Sequence, residues 1–229
     1  MKTYKDIQYQ LKRSDRKTAS IYIERNGEVS LLVPNGLDDQ QVEGLIEGKL
    51  RWIYKGLAEW KDLNATQVHR EFVNGQGFPY LGRSYRLKIV PGDQTLVSLD
   101  DDYFLLKLND QSKPDIPSLF KSFYRRKGLE LIPDRMSPYA TAMNVSPKSI
   151  RVQELQNRWG SCTPNGDIVF HWKSLMAPLT ILDYVIVHEL AHLIHKNHTA
   201  EFWKEIEKAL PDYRERKQWL RENGASLSF

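Results

Sequence analysis

Residues 183–198 read DYVIVHELAHLIHKNH, and four of the chain's six histidines (His188, His192, His195 and His198) fall in the last eleven of them. Ile181, Leu182, Tyr184, Val185, Ile186 and Val187 lead into this stretch, so the segment is apolar nearly all round at helical spacing. That pattern marks a helix buried on most of its surface, covered by other layers of the fold. Into it the sequence sets two imidazoles and a carboxylate, groups that are costly away from water unless paired or bound to a metal. His188 and His192 are four apart and share one face, about one turn from each other. Glu189 projects roughly 100° further round, too far for a natural third ligand but well placed beside a water held by an ion. A hydrogen-bonded pair of core histidines is the competing reading. It leaves the glutamate and the spacing without a purpose.

A tetrahedral zinc site with one open position takes three protein ligands. On an unbroken helix His195 faces the same side as His188, yet it stands ~10 Å along the axis and approaches from the same wall. His198 on a continued helix points about 80° away. It becomes a ligand if the helix stops and the chain turns back, and Asn197 and His198 both tolerate the left-handed backbone that ends helices. Thr199 can then cap a new helix carrying Phe202, Trp203, Ile206 and Leu210 and ending at Pro211. The expectation is therefore a Zn²⁺ ion held by His188, His192 and His198, with Glu189 as the catalytic base. His195 is left to support a ligand, touch substrate or lie on the turn. A carboxylate from the following helix, Glu201, Glu205 or Asp212, is the alternative third ligand.

Outward from this helix, Thr180 and Asp183 form a capping-box-like start after Pro178. SIRVQEL (149–155) and DIVFHW (167–172) read as strands, with NRWGSC and a turn at Pro164-Asn165-Gly166 between them. Asn157, Arg158 and Trp159 should lie beside the helix. Arg158, Trp159 and Tyr184 (four before His188) are candidates for substrate or oxyanion contacts, against a plain packing role for the two aromatics and a structural ion pair for the arginine. Cys162 reads as a fourth ligand, a redox thiol or a small buried residue at a turn. His171 reads as a strand-surface histidine.

Further upstream, two helical stretches cover about 116–143, and a composition shift at Asn109–Pro114 suggests a boundary. The expected organisation is a β-rich region over 1–110 with one long helix (about 38–60), then a catalytic domain over 111–229. In the first region, ASIYIE (19–24) and EVSLLVP (28–34) flank Arg25-Asn26-Gly27, a hairpin signal. Asp38 and Gln41 form a capping box ahead of the stripe Val42, Ile46, Leu50, Ile53 and Leu57. Short strands fill 71–108, and no internal repeat is apparent.

The single cysteine among 229 residues excludes an intramolecular disulfide framework and suits a reducing cytoplasm. No apolar run approaches the ~20 residues of a membrane span, and the start MKTYKDIQYQ lacks the apolar region of a signal peptide. A cytoplasmic protein is expected. The net charge of +4, from 33 basic and 29 acidic residues, is mostly interspersed. Basic clusters at 11–17 and 123–128 keep a nucleic-acid partner as an alternative to a peptide or protein substrate.

NRWGSCTPNGDIVFHWKSLMAP followed by DYVIVHELAHLIHKNHTAEFW resembles the YgjP-like predicted metal-dependent hydrolases, relatives of the SprT-like and WLM zinc peptidases. The matching positions are Arg158 to Cys162, His188 to His192, His198 and Phe202-Trp203, and RKTASIYIERNGEVSLLVPNG, RWIYKGL and FPYLGRSYRLKIV extend the resemblance over nearly the whole chain. It implies an α+β, zincin-like metallopeptidase fold with an antiparallel sheet packed on the HExxH helix and His198 as third ligand. It also motivates an alternative function as a DNA-associated, SprT-like protease.

Overall fold

The computed structural model describes residues 1–24, 26–65, 68–109, 114–155 and 158–229. The chain divides into two compact units, 1–66 and 67–229.

In the first unit, β1 (Lys2–Tyr4), β2 (Ile7–Ser14), β3 (Ser20–Ile23) and β4 (Val29–Pro34) form a sheet of order β1-β2-β4-β3. β3 and β4 are the expected antiparallel hairpin, closed at Gly27 with φ +83°; Arg25 of that turn lies outside the described residues. The Asp38–Gln41 capping box is present. The helix expected over 38–60 is two helices, α1 (Asp39–Glu47) and α2 (Leu50–Asn64). Gly48 closes α1 by donating its N–H to the Gly44 carbonyl, and the apolar stripe resumes in α2. Val42, Ile46 and Ile53 from the two helices are fully buried against Leu31 and Val33.

In the second unit, β5 (Gly77–Tyr80), β6 (Arg83–Pro91), β7 (Leu96–Leu99) and β8 (Tyr103–Leu108) form a sheet of order β5-β6-β8-β7. This repeats the first sheet: two antiparallel hairpins joined by a parallel central pair, Tyr9↔Val29 through Ser14↔Pro34 in one and Arg86↔Tyr103 through Pro91↔Leu108 in the other. The side chains differ, so the repeat is invisible in the sequence. Leu81 and Gly82 turn between β5 and β6, both at positive φ, and their N–H groups donate to the Leu175 and Met176 carbonyls. A Cβ on Gly82 would lie 2.9 Å from the Pro178 Cα, so this turn abuts the entry to the histidine-bearing helix.

α3 (Ile116–Ala142) is one helix, not two, although Pro133 and Pro138 lie inside it. A proline removes one helical hydrogen bond. Pro133 and Leu129, whose carbonyl loses that partner, are exposed and face water, while Phe120, Phe123, Tyr124, Ile132 and Met136 hold the helix to the core. Phe78 and Phe104 share that core with Phe120. The second sheet therefore belongs with α3, and the compact units divide at 66–67, whereas the composition shift suggested 110–111. Residues 110–113 of that shift lie outside the described residues.

β9 (Ser149–Gln153), β10 (Gly160–Cys162) and β11 (Asp167–His171) form a third sheet of order β10-β11-β9. β10 and β11 are antiparallel around Gly166 at φ +85°, but β9 and β11 run parallel, so this sheet is mixed, not antiparallel. β11 lies between its two partners, which leaves β9 and β10 on opposite sides of it and β10 at an edge. α4 (Leu179–Ile194), α5 (Ala200–Ala209) and α6 (Tyr213–Asn223) complete the unit. α4 begins without a side-chain cap. Asp183 does not serve as one, because it is buried and accepts two hydrogen bonds from Arg135 of α3, at 2.7 and 2.6 Å.

Candidate metal centre

α4 carries His188, Glu189 and His192, and it stops at Ile194 because His195 leaves helical geometry (φ −125°, ψ 114°). The turn-back needs no left-handed residue at Asn197 or His198: among non-glycine described residues, only Lys5, Leu81 and Asn144 have positive φ. The Thr199 hydroxyl then accepts the Phe202 N–H at 3.4 Å and starts α5. His198, just ahead of that cap, is thereby returned to the face of α4. Its Nε2 lies 3.1 Å from Nε2 of His188. Ring centroids are 5.0 Å apart for His188 and His192, 5.0 Å for His188 and His198, and 4.8 Å for His192 and His198. One nitrogen from each of the three lies within 4.8 Å of the others.

His192 Nδ1 is 3.1 Å from the His195 carbonyl oxygen. As the donor of that bond, Nδ1 carries the proton and Nε2 keeps its lone pair, the arrangement that orients a ligating imidazole. His195 thus contributes its main chain to the site. Burial drives His188 down to about 3, helped by the two neighbouring imidazoles, and lowers His192 and His198 as well. Three neutral imidazoles with converging nitrogens are a donor set for a borderline metal ion.

Glu189 is 4% exposed, and its Oε2 has no hydrogen-bond partner among the described residues. Burial pushes its carboxyl up to about 8, with Arg158 pulling the other way. The side chain lies flat on Gly160 of β10: a Cβ there would come 2.5 Å from Glu189 Oε1 and 2.7 Å from its Cδ. Gly160 lies within the matching stretch Arg158 to Cys162, but the sequence alone gave it no contact with Glu189. A glycine inside a strand pattern, marking a close approach of another group, was the signal available.

Arg158 is exposed, Trp159 is half-buried against the core, and Asn157 lies outside the described residues. Tyr184 is buried with its ring edge-on to His188, 5.9 Å between centroids, and burial holds its phenol well above the usual range. Cys162 is not brought into the nitrogen cluster, and neither are the carboxylates weighed as third ligand. Its thiol is raised by burial and by the Glu189 charge. Glu205 pairs with Lys208 and Asp212 with Arg216. His171 is buried rather than on a strand surface; its Nδ1 accepts the Lys173 N–H, and burial lowers it to about 4.

A model of the YgjP-like metallopeptidase domain matches residues 17–223. The chain belongs to the YgjP-like metallopeptidase family. Membership makes it a metal-dependent peptidase, with peptides or proteins as substrates. The YgjP-like match takes in parts of both compact units, from the hairpin of the first to the end of α6. No curated protein matches the chain. Among solved structures, the metallopeptidase zymogen of Pyrococcus abyssi abylysin is similar at 22% identity over 38% of this chain and 90% of that one, with a TM-score of 0.36, a likeness too slight to fix fold or site. No helix among the described residues is long and apolar enough to cross a membrane.

Proposed function

We propose that this metallopeptidase is a zinc enzyme in which His188, His192 and His198 hold the ion and Glu189 is the general base. The observation that carries the reading is the convergence of three imidazole nitrogens within 4.8 Å, beside a buried carboxylate whose Oε2 has no partner among the described residues. Zinc suits three nitrogen donors with one tetrahedral position open. When bound, it lowers the pKa of a coordinated water toward ~7 and polarises a substrate carbonyl. Glu189 accepts the proton of the attacking water and delivers it to the leaving amine. Its burial supports both halves of that task, because a carboxyl raised toward neutrality holds and releases a proton near working pH.

The edge strand β10 supports substrate binding by backbone pairing. The Trp159 carbonyl and Thr163 N–H bond to β11, so by alternation the backbone groups of Gly160 and Cys162 point away from the sheet. Arg158 and Trp159 open that edge and, with Tyr184 and the His195 side chain, are the proposed substrate or oxyanion contacts. The single cysteine supports a cytoplasmic enzyme. The basic stretches lend the DNA-associated alternative little weight, because much of their charge is already engaged: Arg13 pairs with Asp39, Arg126 and Lys127 with Glu130, and Arg125 donates to the Val152 carbonyl.

Zinc titration of His198→Ala and His195→Ala tests the ligand set. The account expects a loss of a hundredfold or more in affinity for the first and little change for the second, whose contribution is a main-chain carbonyl. Equal affinities would remove His198 from the site.

A further inference from the structure

Two of the three clustered imidazoles are fixed by the buried helix that bears them. The third comes from an exposed connection, yet its ring is held on several sides. His198 stacks on Trp203 with centroids 5.7 Å apart and planes 24° from parallel, and it meets Phe202 edge-on at 4.8 Å. Trp203 is itself backed by Tyr213 of α6, stacked at 5.6 Å and 17°, and by Lys217, whose Nζ lies 4.1 Å from the indole centroid.

The positions of the two stacked rings have a meaning in helix geometry. With Thr199 as N-cap, His198 is the residue before the cap and Trp203 is the fourth residue of α5. A side chain before the cap packing on the fourth helical residue is a staple that fixes the angle at which the chain enters the helix. Here an imidazole occupies the place usually taken by an apolar side chain, so the angle set by the staple is also the direction in which the imidazole nitrogen points. We infer that Trp203 is the positioning residue of His198, acting through this staple to hold the third ligand ready before any ion arrives. The inference rests on the assignment of His198 as a ligand.

The test is a zinc-affinity cycle on the full chain, read by competition with a chelator, with circular dichroism as the check on folding. Trp203→Leu keeps an apolar residue at the staple but removes the planar face. It should lose about 10- to 100-fold in zinc affinity, the range found when a group orienting a ligand is removed. Trp203→Phe, which keeps a ring, should restore most of that loss. In a His198→Ala background, Trp203→Leu should cost far less, since only its looser contact with His188 at 6.0 Å remains, whereas a merely structural role would weaken binding equally in both backgrounds. Wild-type affinity in Trp203→Leu, or an equal loss in both backgrounds, overturns the inference. Wild-type affinity in His198→Ala alone would instead overturn the ligand assignment. Should Trp203→Leu fail to fold, Thr199→Ala at the exposed cap carries the same test: a several-fold loss of zinc affinity supports the staple, and an unchanged value overturns it.

Discussion

At the scale of single residues, the site depends on where one carboxylate can lie. Glu189 rests on the bare Cα of Gly160, where any Cβ would stand 2.5 Å from its Oε1. Gly160→Ala should therefore displace this carboxylate by a few tenths of an ångström to an ångström. A shift of that size is worth up to ~100-fold in rate. The expected result is a fall in peptide hydrolysis of at least tenfold with zinc affinity retained, checked by steady-state kinetics and metal titration. His188, Glu189 and His192 were legible in the sequence because one turn of helix separates the two imidazoles whatever surrounds them. His198 was legible only through the conditional that the helix stops. The stop is made by an extended His195, not by the left-handed residue expected near Asn197, and no local preference announces that. The contact of Gly160 with Glu189 joins residues distant in sequence, and that of Trp203 with His198 rests on ring geometry, neither of which a single chain of letters displays.

At the scale of elements, α4 is held by the Arg135–Asp183 pair and pressed against β10. Arg135→Met leaves the Asp183 carboxylate buried without its partner. It should lower stability by about 3 kcal/mol, the low end for one member of a buried pair, since Arg135 is partly exposed. Urea unfolding followed by circular dichroism measures it, and a change below about 0.5 kcal/mol would mean that the pair does not hold α4 to α3. β11 carries a pH dependence of its own. Burial lowers His171 to about 4 from an ordinary 6.5. Above pH 6.5 both folded and unfolded states are neutral at this group; between 6.5 and 4 only the unfolded chain takes the proton. Stability should therefore fall as pH drops through that window, by on the order of 3 kcal/mol from this group. His171→Gln should flatten the slope in urea midpoints measured from pH 7 to pH 4. Sequence periodicity gave most elements here, and it failed where tertiary contacts override local rules. The prolines of α3 are absorbed on a solvent face, the buried Asp183 forgoes capping for Arg135, and β9 pairs parallel with β11 rather than in a hairpin.

At the scale of the whole molecule, the described residues form two separate cores, one around Leu31, Val42 and Ile53 and one around Phe78, Phe104, Phe120 and the α4 helix. Leu31→Ala, at a fully buried position, should cost the first unit about 2–5 kcal/mol. Zinc affinity should stay at the wild-type value, because no residue of the metal centre belongs to that core. Hydrogen exchange would show whether protection falls only within 1–66. The compact units divide earlier than the composition shift because the apolar face of β5–β8 is covered by α3, and nothing local in the β-rich sequence says so. The central claim is that this molecule hydrolyses peptides with Glu189 as base at a three-histidine zinc centre. Its most direct test is zinc quantification together with cleavage of a peptide library by wild type and Glu189→Gln. The account predicts one zinc per chain in both proteins, cleavage by the wild type, and a loss of at least a hundredfold in the variant. Full activity in Glu189→Gln, or a wild type that cleaves as well after zinc is stripped by a chelator, would contradict it.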